Sequence, residues 1–207
     1  MEKLDLTKEY PHYYKAKPEP ALVTIEAAQF LSVTGKGDPS GSDFKMHIEA
    51  LYPTVYTLKF ASKANGRDFV VSKLEGLWWF DEERFDVRTA SEAAQKVPRS
   101  EWEYRLLIRL PGFITAAEVA MAREAVLRKK NNTLVPEVEL FQMEEGRCVQ
   151  LLHQGPFATE PESLEKISRF MEAHQLRRNG VHHEIYLSDF NKTASEKLRT
   201  ILREPVK

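Results

Sequence analysis

The segment His182-His183-Glu184-Ile185-Tyr186-Leu187-Ser188-Asp189 concentrates groups that can move protons or balance charge. Read as a strand, it sends successive side chains to opposite faces of a sheet. Ile185 and Leu187 then claim the helix-covered face, and His182, Glu184 and Tyr186 share the other. A carboxylate between an imidazole and a phenol is chemically usable: burial favours its protonated form, and a bound cation or nearby donors favour its charged form. The same pattern also fits a solvated sheet face with an ordinary surface glutamate.

Leu74-Glu75-Gly76-Leu77-Trp78-Trp79-Phe80 is a second such segment. Alternation puts Trp78 and Phe80 on one face and Glu75, Leu77 and Trp79 on the other, so at least one large ring is left for a cleft wall or an interface. Packing alone is the commoner role of any single tryptophan. In Glu101 to Leu110, Trp102, Tyr104, Leu106 and Ile108 share a face, and Tyr104 either offers its hydroxyl to a cleft or satisfies a core hydrogen bond. Tyr52 and Tyr56 add two further phenols.

Other chemistries fit less well. Alternation separates the imidazoles of His182 and His183, and their spacing differs from the helical pair that grips zinc, so no metal site and no cofactor are expected. Gly35-Lys36-Gly37-Asp38 lacks the spacing and the Lys-Ser/Thr ending of a phosphate loop and reads as a turn. Cys148, the single cysteine, lies in a predicted strand and reads as a buried, inert thiol.

Residues 1–20 mix charge, tyrosine and proline without an apolar period and read as an extended arm. Ala28 to Thr34 reads as a strand ended by Gly35, Gly37, Pro39 and Gly41. From Asp43, the apolar residues Phe44, Ile48, Leu51, Tyr52, Val55 and Leu58 recur at helical spacing, with Pro53 expected to split the helix into two abutting pieces. Leu74 to Phe80 and Glu101 to Leu110 are strands, and 81–100 is loop or weak helix. Thr115 and Glu118 form a capping box opening a helix from Ala116 to Lys130. Val138 to Met143 and Arg147 to His153 are expected to pair as an antiparallel hairpin around Glu144-Glu145-Gly146. Thr159 and Glu162 suggest another capping box before a helix carrying Leu164, Ile167, Phe170 and Met171 on one face. Strand 182–188, a turn at 193–197 and strand 199–203 close the chain.

The order strand, helix, strand, strand thus occurs twice, over about 28–110 and 138–203, and implies a duplicated α+β module in one domain. The 207 residues, 42% hydrophobic and 29% charged, suffice for a real core, with roughly 70% of the unfolded surface buried. Thirty basic against thirty-one acidic residues leave no positive field for nucleic acid or anionic lipid. With no apolar stretch long enough for a membrane span or signal and a single cysteine, a reducing cytoplasm is the expected compartment.

Taken together, the stretches VTGKGDPSG, LEGLWWF, HQGPF, HEIYLSD and LRTILREPVK resemble the GyrI-like family, the effector-binding fold also attached to AraC-type and MerR-type regulators. The resemblance spans about Glu2 to Val206. It implies an α+β fold of two strand-helix-strand-strand modules in pseudo-two-fold arrangement, with antiparallel sheets, helices on one side and a ligand cleft between the modules. In domain terms, residues 1–20 would be an arm and 21–207 a single domain, with module one at about 21–112, a linking helix at about 115–130 and module two at about 136–207. It further implies a stand-alone receptor for hydrophobic or cationic small molecules. Glu184 would be its cleft carboxylate, and Trp79, Tyr104, Tyr186, His182, Trp102, Tyr56 and Phe157 the ligand-binding candidates. Stand-alone relatives include hydrolases of strained cyclopropane-bearing toxins; by that resemblance Glu184 would be the general base and Tyr104 the hydroxyl donor. Inhibition of DNA gyrase, the founding activity of the family, would instead make the chain a protein-binding module. Phe157 stands where the usual motif has tyrosine after Gly-Pro. Internal pseudo-symmetry is compatible with a monomer.

Overall fold

The structure, a computed structural model, describes residues 3–87, 90–129 and 132–207. Two short helices, α1 (Leu6–Glu9) and α2 (Pro11–Tyr14), precede strands β1 (Ala21–Ile25) and β2 (Ala28–Lys36). Helix α3 (Ser42–Ala64), β3 (Leu74–Trp79), α4 (Ala90–Lys96) and β4 (Glu103–Leu110) follow. After α5 (Ala116–Leu127) come β5 (Glu139–Met143), β6 (Gly146–Gln154), α6 (Glu160–Ala173), β7 (His182–Tyr186) and β8 (Arg199–Pro205). The order β2-α3-β3-β4 is repeated as β6-α6-β7-β8, the duplication expected from element order.

Among the described residues, all the strands join one eight-stranded sheet in the order β1-β6-β8-β7-β3-β4-β2-β5, with every pairing antiparallel. The modules meet at β3 and β7, where Gly76 stands opposite Glu184. The hairpin expected between β5 and β6 does not form. Met143 is in register with Ala28 on β2, whereas Gly146 is in register with Ile25 on β1. The chain therefore crosses between the two ends of the strand order in the turn before Gly146, a glycine at φ 66°. Residues 25 and 28 do the same, and three residues span at most about 10 Å, so the sheet must curl until its edges approach. Local turn chemistry predicted a hairpin; the exchange of edge strands between modules overrides it.

Helix α3 runs unbroken through Pro53. The proline removes one amide donor, but Phe44, Ala50, Leu51, Val55 and Leu58 on both sides of it bury one stripe against the sheet, and this keeps the axis continuous. The Thr115–Glu118 capping box is present, each side chain meeting the other residue's backbone amide. Thr159 makes no such cap; its hydroxyl donates to the Pro156 carbonyl in a short 3-10 turn. Strand β1 lies in a stretch that the sequence left in no element.

Helices α3, α5 and α6 cover one face, and α4 packs against α6. The arm covers the other face and is not extended. Asp5 caps α1 by accepting from the Thr7 amide, and Pro11 opens α2. Leu6, Tyr13 and Tyr14 are buried there among Ile25, Phe30, Leu77, Leu107, Ile185 and Ile201. Ile185 therefore faces the arm rather than the helices, which reverses the expected assignment of faces, and helical turns lie on both sides of the sheet.

Beneath the arm lies a chain of buried charges. Glu75 accepts from the Tyr13 hydroxyl and from His183 Nε2 at 3.0 Å. The other ring nitrogen of His183 lies 2.9 Å from Glu145, which also takes Arg203 at 2.8 Å. Burial alone would raise the Glu145 carboxyl, but His183 and then Arg203 hold it down at about 2. Arg203 completes its set with Gln150 and the Tyr13 carbonyl, so the arm is fastened by hydrogen bonds as well as by apolar packing. Tyr13→Phe should cost about 1–3 kcal/mol by leaving Glu75 short of a buried donor, measured as a lowered urea midpoint with an unchanged slope.

Candidate functional site

On the helix-covered face, β3 and β7 cross beside each other at Gly76 and Glu184. Two residues beyond each lie Trp78 and Tyr186, so the two modules place equivalent rings diagonally across the junction. The Trp78 indole N–H donates to the Tyr186 hydroxyl at 3.1 Å, and that hydroxyl donates to Glu184 Oε2 at 2.7 Å. His182 Nε2 lies 3.3 Å from Glu184 Oε1, and its Nδ1 donates to Glu204 at 2.7 Å. Arg178 sits 3.3 Å beyond, against the second oxygen of Glu204.

The electrostatics follow from this order. Burial acts to lower the His182 pKa, but Glu204 and then Glu184 outweigh it and lift the imidazole to about 10. Burial likewise penalises the Glu204 carboxylate, yet His182 and Arg178 hold its pKa below the usual range. Burial, and then the Glu184 charge, push the Tyr186 phenol well above its ordinary value. Glu160, at the start of α6, is driven the same way by burial and by Glu184, and its Oε1 has no hydrogen-bond partner among the described residues. The cluster therefore sets a buried carboxyl whose pKa is raised within electrostatic reach of Glu184, whose side chain is 13% exposed.

Two glycines make room for the rings. A Cβ at Gly76 would stand 2.7 Å from the Trp78 indole nitrogen and 3.0 Å from the Tyr186 hydroxyl; at Gly35 it would stand 2.6 Å from the Tyr104 ring. Gly35 is thus a strand residue in register with Tyr104, which lies across it, rather than part of the turn that the sequence suggested. Phe44 from α3 stacks on Trp78 at 5.8 Å, and Trp102 and Tyr104 pack on the same indole at 6.4 and 5.4 Å. Phe157 and Phe190 stand edge-on to Tyr186 at 6.0 and 5.9 Å.

Several sequence-predicted residues meet here: Glu184, Tyr186 and His182 share a face, and Trp102 and Phe157 adjoin it. That face carries the helices, contrary to expectation, because Ile185 is claimed by the arm. Trp79 is turned to the opposite face and donates to Glu103 at 3.0 Å; Trp78 is the indole beside Glu184. Tyr104 is fully buried against Trp78, with its hydroxyl 3.2 Å from His47 rather than on Glu184. Burial, assisted by Asp43, raises its pKa to about 12. Tyr56 is 44% exposed on α3, stacked between Tyr52 and Phe60. Sequence reasoning weighed Trp78 but chose Trp79, and it missed Glu160, Glu204, Phe44 and Phe190. Gly76 was the available signal for Trp78, since an interior strand glycine often marks a close approach.

This arrangement, two matched lobes meeting at a carboxylate ringed by aromatic side chains, is that of an α+β small-molecule-binding fold. Residues 18–207 match the profile of the GyrI-like small molecule binding domain, and the chain belongs to that family. Two solved structures from Listeria innocua, an uncharacterized conserved protein and a hydrolase, are each 36% identical over 99% of this chain and 100% of theirs, with TM-scores of 0.88 and 0.85. The C-terminal domain of EcmrR is 12% identical, covers 91% of this chain and 97% of its own length at a TM-score of 0.54, and supports the fold alone. No curated protein matched the chain.

Gly76→Ala should displace the Trp78–Tyr186 pair and cost about 1–3 kcal/mol, seen as a lower urea midpoint with a shifted tryptophan emission. The site also makes stability depend on pH. Because folding raises the His182 pKa from 6.5 to about 10, its contribution is complete below pH 6.5 and is lost as pH rises toward 10. Urea midpoints taken from pH 6 to pH 10 should therefore fall, and His182→Gln should flatten that decline.

Proposed function

We propose that the helix-face site takes flat, hydrophobic small molecules and hydrolyses those that carry a strained electrophilic ring, with Glu184 as general base. The carrying observation is the setting of Glu184: a partly exposed carboxylate oriented by Tyr186 and His182 and walled by rings, with the buried Glu160, its pKa raised, within electrostatic reach. The full-length likeness to a Listeria innocua hydrolase supports the same reading.

In this mechanism, water adds through its oxygen to the ring methylene of a cyclopropane spiro-fused to a cyclohexadienone and gives one proton to Glu184. The carbon–carbon bond breaks, and its electron pair moves to the carbonyl oxygen, which takes a proton from Glu160 and becomes a phenol. Proton return from Glu184 to Glu160 restores the site. Tyr186 is a positioning residue that holds one oxygen of Glu184, and Trp78 holds Tyr186 in turn. Phe157 and the Trp78 indole, backed by Phe44 stacked on it, would line the face against which the flat substrate lies. Tyr104, facing His47, serves as wall rather than donor. Ring strain supplies most of the driving force, so the absence of a nucleophile triad from this scheme is no obstacle.

A second reading, sequestration without turnover, is favoured by the rings that surround one carboxylate, since each aromatic face attracts a cation by about 0.5–2 kcal/mol. Its signature is selective loss of cationic over neutral ligands of equal size in Glu184→Gln.

Incubation with a cyclopropane-bearing alkylating agent, followed by mass spectrometry, separates these readings. Hydrolysis predicts a product heavier by one water, with a rate that falls roughly 10²–10⁴-fold in Glu184→Gln. Turnover undiminished by that substitution contradicts the mechanism, and binding without product favours sequestration.

A further inference from the structure

A cavity of about 480 Å³ lies away from Glu184, where the N-terminal arm crosses the ends of β2, β4 and β5. Leu6 and Tyr10 of the arm, Ala28, Arg109, Leu110 and Met143 form much of its wall. Its volume falls within the range typical of pockets for small organic ligands.

Arg109 is the unusual member. It is only 6% exposed, and its Nη1 is sealed from solvent with no hydrogen-bond partner among the described residues. Among the described residues its guanidinium makes no ion pair either; it rests on the rings of Tyr10 and Tyr13, at 4.0 and 4.6 Å from their centroids. Arg203, buried on the same face of the sheet, shows what a satisfied arginine looks like in this fold, with Glu145, Gln150 and the Tyr13 carbonyl all bonded to it. A buried guanidinium without an anion is costly, and ring contacts offset only part of that cost because they leave its N–H donors unused.

We propose that this cavity binds a small monocarboxylate with an apolar body, its carboxylate paired with Arg109. The planar donor fork of arginine matches a carboxylate. A dianionic phosphate fits less well, because among the described residues Arg109 is the only cation on the wall and the exposed carboxylate of Glu144 lies on the same wall. The apolar part of the ligand would lie against Leu6, Ala28, Leu110 and Met143. This site is independent of the Glu184 chemistry.

Calorimetric titration and thermal melting of the intact chain with octanoate, 1-octanol and inorganic phosphate test the assignment. Octanoate should bind and raise the melting temperature, with 1-octanol and phosphate at least tenfold weaker. Arg109→Leu should abolish octanoate binding. Because that change also strips the packing from Tyr10 and Tyr13, Gly112→Leu provides a second variant: Gly112 lines the cavity, and a Cβ there meets no atom within 4 Å. It should weaken octanoate at least tenfold while leaving the unliganded melting temperature unchanged. The proposal is overturned by no octanoate binding, by equal binding of 1-octanol or phosphate, or by octanoate affinity that survives either substitution in a folded protein.

Discussion

The structure depends on one antiparallel junction, the pairing of β3 with β7 that sets Gly76 opposite Glu184. It joins the two modules and fixes both faces of the sheet at once. On the helix face, the residues two positions on, Trp78 and Tyr186, meet by a hydrogen bond. On the arm face, the residues one position before, Glu75 and His183, meet by another. A slip of one residue in this register would exchange these sets and leave indole, imidazole and carboxylates without partners. The need to satisfy buried polar groups therefore fixes the register more stringently than apolar packing alone would.

The arm gives this junction its second wall. Without it, Glu75, His183, Glu145 and Arg203 would lie on an open sheet face in water, and the pKa shifts of Glu145 and His183 would lose the burial and close pairing that shape them. With it, the sheet is covered on both sides and the strands that carry Glu184 are held from beneath. The chemistry on one face is thus built on a charge network sealed on the other, separated by a single layer of backbone.

Much of this was legible in the sequence. Doubled element order gave the two modules, and alternation correctly grouped His182, Glu184 and Tyr186 and parted His182 from His183. The errors share a cause: each depended on a partner distant in sequence. Ile185 was assigned to the helices because the arm, poor in apolar period, gave no sign that Leu6 and Tyr13 would bury against it. The choice of Trp79 over Trp78 followed Glu75, whose face proved to belong to the arm. The β5–β6 hairpin was a sound local inference, defeated by an exchange of edge strands that no nearby residue announces. Pro53 failed to break α3 because one lost hydrogen bond is small against a stripe of buried side chains extending on both sides of it. Glu160 and Glu204 have ordinary local sequence contexts, and only the packing of α6 and β8 brings them to the site.

The most direct test of the site assignment is a nitrogen-resolved NMR titration of the three tryptophan indoles with ethidium, a flat hydrophobic cation. The account predicts that the indole resonance of Trp78 moves strongly, as its bond to Tyr186 is disturbed, while that of Trp79, on the far side of the sheet, stays in place. A saturable shift confined to Trp79, with Trp78 unmoved, would place the binding surface on the wrong face and contradict the account.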